Sequence, residues 1–224
     1  MDKRKSNTKY DIDNLAELFG IQAVEKSAVL EKWLSSAATL TLEEKNMIET
    51  LRQRLIKSGS SWNEEELKIQ FIGILFFIVN IDEEKIIKTF FERPMSAIVQ
   101  NIPLSVIADC LIATPKGLGG SPREPYFFLQ EAPSRPSPKG KENFYKVDKQ
   151  DPEGQMLTAM LIAQASNQDE KPIYGCWIVG NNWHFTVLNG SFYSVSQQFD
   201  ATQNEDLLKI VYMLRSLKIL ILNR

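Results

Sequence analysis

Apolar residues recur at three- and four-residue steps from Asp11 to about Lys57, the spacing of one face of an α-helix. Leu15, Leu18 and Phe19 form one such group, and Val29, Leu30, Trp33 and Leu34 the next. Thr41-Leu42-Glu43-Glu44 has the form of a capping box, in which a threonine and a glutamate three residues on bond each other's backbone amide. It predicts a helix whose apolar stripe is Met47, Ile48, Leu51 and Leu55, ending at Ser58-Gly59. Ser61-Trp62-Asn63-Glu64 reads as a second box. The segment behind it, to Val79, is apolar nearly all round and predicts a helix buried inside a domain.

The period then falls to two. Lys85 to Phe91, Ala97 to Ile102 and Leu104 to Ala113 read as strands, and the Gly- and Pro-rich Thr114 to Pro125 as a loop. Tyr126 to Glu131 is a short dense strand, and Ala132 to Gln150 a second long loop. Asp151-Pro152 predicts a helix start, with Asp as N-cap and Pro in the first turn, running to about Ser166. Ile173 to Val179 and Trp183 to Leu188 are strands, and Asn189-Gly190 is a hairpin signal leading to Phe192–Val195. A box at Thr202–Glu205 opens a last helix. Strands mixed with helices predict an α/β fold, a central mixed β-sheet flanked by helices. Residues 1–58 read as an N-terminal helical extension and 59–224 as the α/β domain.

Composition narrows the chemistry. The 224 residues carry 26 Lys+Arg against 28 Asp+Glu, a net charge of −2, so no global basic field draws the chain to nucleic acid or anionic membrane. There is one histidine, His184, and two cysteines, Cys110 and Cys176, too few for a closed zinc site. A Ser-His-Asp or Cys-His machine would have to use His184, which lies between Trp183 and Phe185 and reads as a packing residue. One cysteine pair is no disulfide framework, so a reducing cytoplasm is the expected compartment. The longest apolar run, Phe71 to Val79, is too short to span a bilayer, and Met1 to Asp13 has no apolar core of a signal peptide. Gly117–Gly120 lacks the ending and the following helix of a phosphate loop. Carboxylates, lysines and hydroxyls are left to do chemistry.

Two carboxylates stand among apolar neighbours. Alternation puts Asp109 on one face with Ile107 and Leu111 in a strand apolar on both faces, hence central. Glu131 shares a face with Phe127 and Leu129 at the end of its strand. Ionised carboxylates there are costly unless paired or bound to a cation. On adjacent strands they would suit Mg²⁺, which takes one or two carboxylates plus waters and phosphate oxygens. The plain alternative is that Asp109 pairs with Arg93 or a backbone group and Glu131 faces water. On the preceding helix Glu64 shares a stripe with Leu67 and Phe71, although it also occupies the third position of the Ser61 box; Glu66 is the alternative on another face. Lys68, four residues after Glu64, reads first as a helix ion pair.

This order of residues resembles the PD-(D/E)XK nuclease superfamily, closest to a group of small bacterial members. The resemblance runs from about Ser61 to the C-terminus through WNEEELK, Asp109, a strand ending FFLQE, DPEGQ opening a helix and the hairpin PIYGCWIVGNNWHF. It implies a restriction-endonuclease-like core and phosphodiester hydrolysis, of DNA first, with Mg²⁺ or Mn²⁺. Asp109 and Glu131 would be the metal ligands, Glu64 or Glu66 the helix glutamate, and Gln155 the polar residue of the later helix. The partner implied is nucleic acid, with a homodimer left open and no membrane.

One departure stands out. Glu131-Ala132-Pro133 occupies the place of the E-x-K lysine that orients the attacking water. Lys68, or Lys139, Lys141 or Lys146 of the loop, could take over, or Gln155 could position the water. The other reading is a catalytically degenerate member that binds nucleic acid or a protein partner through the 132–150 loop. From Ser134 to Lys149 that loop sets Arg135, Lys139, Lys141, Lys146 and Lys149 against Glu142 and Asp148, with Phe144 and Tyr145 between. Such a mixture can track phosphates and stack on bases; a solvated Pro-rich loop is the alternative.

Overall fold

The helical periodicity at the start of the chain resolves into α1 (Ile12–Phe19), α2 (Ala28–Leu34) and α3 (Leu42–Ser58) in a computed structural model that describes residues 11–116, 121–132 and 151–223, with 131 and 132 described by their backbone. Thr41 and Glu44 form the expected capping box, and Ile48, Leu51 and Leu55 are buried. Between α1 and α2 the chain adds a two-residue strand, β1 (Gln22–Ala23), that periodicity does not reveal. Next come α4 (Glu64–Leu67), a π-helical turn over Lys68–Ile72 and α5 (Gly73–Val79), one continuous helical rod.

That rod is not buried all round. Ile69 is 68% and Phe77 76% exposed, while Phe71, Ile72 and Leu75 fill the core. The π turn widens the helix by a residue and so rotates the side chains that follow it.

Seven strands form one mixed sheet in the order β1-β7-β6-β5-β4-β3-β2. They are β2 (Lys88–Val99), β3 (Ile102–Lys116), β4 (Ser121–Ala132), β5 (Ile173–Val179), β6 (Asn182–Asn189) and β7 (Phe192–Asp200), with β1. β4 and β5 pair in parallel and are joined through α6 (Pro152–Asn167); β1 and β7 are parallel, and the other pairs antiparallel. The last helix is α7 (Asn204–Leu222). The fold is therefore α/β with a central mixed sheet between helices, as its pattern predicts.

One core lies between the sheet and α2, α3, α5 and α7; the other lies between the sheet and α1 and α6. Among the described residues no helix is long and apolar enough to cross a membrane.

Several local readings are corrected. The expected strand Ala97–Ile102 spans the tip of a β2–β3 hairpin, where Gln100 and Asn101 both adopt left-handed conformations (φ 46° and 66°). β3 and β4 extend to Lys116 and back to Ser121, into the segment expected to be loop. β3 is second from the sheet edge rather than central. At Thr202 no box forms: its hydroxyl and amide both bond Asp200 Oδ1 (2.7 and 2.8 Å), and Gln203 becomes the N-cap. Gly117–Gly120 and the loop residues Pro133, Arg135, Lys139, Lys141 and Lys146 lie outside the described residues.

Candidate active site

The α4 entrance decides which glutamate is available. Ser61 belongs to a 3₁₀ turn and donates to Ser58 O (2.7 Å), so the box forms two residues later than expected. Asn63 Oδ1 accepts the Glu66 amide (2.9 Å), and Glu66 Oε2 accepts the Asn63 amide (2.8 Å). The carboxylate of Glu66 is thus committed to the cap, and Glu64 is not the capping residue.

Glu64 is half-buried. Burial pushes its carboxyl pKa above the ordinary value; the Lys68 charge pulls it down, and Glu92 and Glu65 push it further up. Lys68 is 6% exposed, one turn on. Its Nζ donates to Glu65 Oε1 at 3.3 Å and to Glu92 Oε1 across to β2. The helix ion pair expected with Glu64 is therefore made with Glu65 and Glu92, and Glu64 stands beside them as a third carboxylate.

Glu92 holds a left-handed backbone (φ 51°), a conformation that costs a side-chain-bearing residue about 1–2 kcal/mol. It faces Asp109 in the register, between the pairs Phe91↔Cys110 and Arg93↔Ala108. Alternation skips a step here in both strands. Phe90 and Met95 on β2, and Ala108 and Leu111 on β3, all belong to the α6-side core, while Phe91 and Cys110 lie in the other. The simple alternation expected for Leu104–Ala113 therefore fails at Asp109, and Ile107 beyond it is 59% exposed.

Asp109 itself is half-buried rather than enclosed. Its amide donates to Gln130 Oε1 (3.0 Å), and Gln130 Nε2 donates to Ile107 O (3.2 Å). Gln130 is fully buried and supplies with its side chain the bonds that the β3–β4 ladder gives up past Cys110↔Leu129. Glu131 follows on β4, its backbone paired with Ile178. Asp109 and Glu131 thus sit on neighbouring strands at one end of the sheet.

α6 begins at that end and runs back over β4, its far end held by Asn167 Nδ2 to Pro125 O (2.7 Å). This places Gln155 near the same sheet end, half-buried on the α6 side and without a side-chain hydrogen bond among the described residues. His184 stacks on Trp177, with ring centroids 5.0 Å apart and planes at 9°. Burial lowers its pKa below the ordinary imidazole value.

The structure gathers Glu64, Glu65 and Glu92 around Lys68, with Asp109 opposite Glu92. Sequence reasoning missed Glu65, Glu92 and Gln130. The signal for Glu92 was a charge breaking the apolar run of Phe90-Phe91, but period alone placed it after the strand. Among the described residues no three His, Cys, Asp or Glu side chains form a group able to hold a metal ion. A hard ion of the Mg²⁺ type needs fewer, and carboxylates such as those of Asp109 on β3 and Glu131 on β4 are of the chemical kind it takes. A cleft of about 500 Å³ lined by Trp33, Tyr174 and Leu220 lies at α2 and α7, away from these groups; its Ser36 and Ser216 bond each other (2.7 Å). Compared with known proteins, the chain matches no family model and no curated relative.

Proposed function

We propose that the chain is a metal-dependent nuclease of the PD-(D/E)XK kind, hydrolysing phosphodiester bonds of DNA, with Lys68 of the leading helix in the role of the absent E-x-K lysine. The observation that supports this reading is Lys68 itself: a lysine 6% exposed, held by two glutamates on different elements, near the sheet end where Asp109 lies on β3 and Glu131 on the neighbouring β4. Lysines are seldom so enclosed unless paired, and a paired lysine at a strand junction beside acids is well placed to act on a phosphate.

Asp109 and Glu131 would hold Mg²⁺ or Mn²⁺. When bound, such an ion supplies an activated water and offsets the charge that builds on the phosphate. Lys68 is aimed by Glu65 and Glu92, and because it is itself buried its charge would be screened less, and act more strongly on a phosphate oxygen, than that of a surface lysine. Glu64 is more readily protonated than a surface carboxylate and can exchange a proton with solvent or leaving group. Gln155 is the polar group offered from the α6 side, and Arg135, Lys139, Lys141 and Lys146 would meet the phosphate backbone.

The test is cleavage of labelled DNA and RNA by the full chain with Mg²⁺ or Mn²⁺. DNA cleavage is expected, and Asp109→Ala and Lys68→Ala should each lower it about a hundredfold or more. Cleavage unchanged in Asp109→Ala rules out this site. DNA bound but never cut, with either metal, identifies the degenerate binding protein instead. Loss in Asp109→Ala with full activity in Lys68→Ala removes the lysine assignment alone.

A further inference from the structure

β2 is the last strand of the sheet, and its outer edge pairs with no described strand. The β2–β3 hairpin fixes which of its backbone groups point there. Val99 and Ile102 flank the two-residue turn of Gln100 and Asn101, and the pair flanking such a turn exchanges both hydrogen bonds. Alternate pairs therefore bond: Val99 with Ile102, Ala97 with Leu104 and Met95 with Val106. At the positions between them, Ile98, Ser96 and Pro94 turn their backbone groups outward, away from β3. Pro94 and Pro103 both fall at these non-bonding pairs, where a missing N–H costs the hairpin nothing. The amides of Ser96 and Ile98 and the carbonyls of Pro94, Ser96 and Ile98 thus form a row with no backbone partner among the described residues.

Edges of this kind are usually guarded by charge or proline. Here the guard stops at Pro94. From Pro94 to Ala108 the chain has no charged residue, in a sequence that is 24% charged. Ser96 is exposed, Ile98 is 73% exposed, and Ile107, on the same face of β3, is 59% exposed. From the other face Met95, Ala97 and Val99 pack against the α6-side core, and Gln100 Nε2 donates to Phe19 O of α1 (3.4 Å). The edge is held in strand form without a partner, so pairing it would cost little ordering. Its limits are symmetrical about Ala97. Three residues before it Pro94 has no amide, and three residues after it Gln100 leaves the strand in a left-handed turn.

We infer that this edge pairs with the same edge of a second copy of the chain, antiparallel about a two-fold axis at Ala97, joining two sheets into one. In that register Ser96 stands opposite Ile98 of the second copy, and Ile98 opposite its Ser96. All of these residues face outward, so each pair exchanges both hydrogen bonds and no proline is asked for a donor. Moving the axis to Ser96 would set Pro94 opposite Ile98 and forfeit a bond in each such pair. Moving it to Ile98 would set Ser96 opposite Gln100, which has already left the strand. The two-fold gives the absence of charge its meaning. In such a contact a patch meets its own copy, and a charge at its centre would face its own sign. A different protein could complement a charged edge equally well, so neutrality favours self-pairing. The contact is smaller than the about 20–30 residues a side of a standard interface, so the dimer should form in the micromolar range or weaker. This inference is independent of the nuclease reading.

The experiment uses the full chain without nucleic acid or metal, by sedimentation velocity from about 1 to about 500 µM, the range in which a small interface associates. A monomer–dimer equilibrium is expected. Ser96→Pro removes an outward amide and keeps the hairpin's own bonds. It should weaken dimerisation at least about tenfold, because each copy loses a hydrogen bond. Ile98→Lys sets like charges near the axis and should weaken it as well. Ile107→Lys lies on the same face but off the edge, and should stay within about twofold of wild type. Amide hydrogen exchange of the wild-type chain is the second readout. The Ser96 and Ile98 amides should exchange freely in dilute protein and slow severalfold in concentrated protein, whereas the Ala97 amide, bonded to β3 throughout, should not change with concentration.

A chain that is monomeric throughout overturns the inference. If its Ser96 and Ile98 amides are protected nonetheless, another segment of the same chain lies on the edge. A dimer that leaves those two amides unprotected and survives Ser96→Pro is built elsewhere on the molecule, which overturns the inference too. A dimer broken by Ile107→Lys but not by Ser96→Pro is stacked face to face, against edge pairing. Exchange is read on the wild-type chain, so a misfolded variant does not remove the test.

Discussion

Glu66 gives its carboxylate to the Asn63 amide, which leaves Glu64 as the glutamate of α4 with an unspent charge and a half-buried place to keep it. The two are two residues apart, and either could have been the capping residue on sequence. Both Ser61-x-x-Glu64 and Asn63-x-x-Glu66 satisfy the box pattern, and the choice falls to the 3₁₀ turn that takes Ser61 away. Because the folded protein raises the Glu64 pKa, ionised Glu64 lowers stability at neutral pH. The folded state binds this proton more tightly than the unfolded chain. The penalty is therefore present above the folded pKa and relieved as pH falls toward the ordinary 4.5. Glu64→Gln should then raise the melting temperature at pH 7 and raise it less, or not at all, near pH 4. If the proposed nuclease reading holds, the same substitution should also reduce DNA cleavage, the trade expected of a group kept for chemistry rather than for the fold. Melting curves of both proteins from pH 4 to 8 check the first part. A variant less stable than wild type at pH 7 would show Glu64 to be a net stabilising partner of Lys68.

At the scale of elements, the helices were legible because apolar stripes and caps are local: Thr41 with Glu44 closes its box within one turn. The β2–β3 hairpin was not. Its turn is made by Gln100 and Asn101 in left-handed conformations, without the glycine that marks such turns, and the chain from Pro94 to Ala108 is apolar on both sides of it. The loss of alternation at Glu92 and Asp109 is equally silent, since the two strands skip together and their register stays constant. Asp109 was found because a carboxylate in an apolar strand is conspicuous; Glu92 was not, because only the fold brings Lys68 to it. The kink makes its own prediction. Glu92→Ala keeps the left-handed strain and loses the Lys68 partner, whereas Glu92→Gly loses the partner and relieves the strain. Glu92→Gly should therefore be the more stable of the two by about 1 kcal/mol, measured by urea denaturation. Equal stabilities, or alanine above glycine, would mean that the hairpin relaxes when the side chain is removed and that Glu92 does not sustain the kink.

Over the whole molecule, residues 11–58 are divided between both cores. Leu15 and Phe19 of α1 pack in the α6-side core, and Leu30, Trp33, Ile48, Leu51 and Leu55 in the other. Trp33 meets Phe127, Tyr174 and Phe185 of three different strands edge-on and donates its indole N–H to Met213 O of α7 (2.8 Å). β1 extends the sheet beside β7, so the same segment contributes to the backbone ladder as well. Each fully buried side chain of this size contributes roughly 1.5–3 kcal/mol, and the net stability of a typical domain is about 5–15 kcal/mol. Seven such side chains in this segment outweigh what the rest could spare. Urea unfolding should accordingly show one transition, coincident by tryptophan fluorescence and far-ultraviolet circular dichroism. Trp33→Ala should move the midpoint of that whole transition, at a cost of about 3–5 kcal/mol, rather than melt the N-terminal helices alone. Two separated transitions, with only the first displaced by Trp33→Ala, would make residues 1–58 an independent unit. A single transition would tie the helical segment, through the Trp33 contacts to β4, β5 and β6, to the strands that carry Glu131, Trp177 and His184.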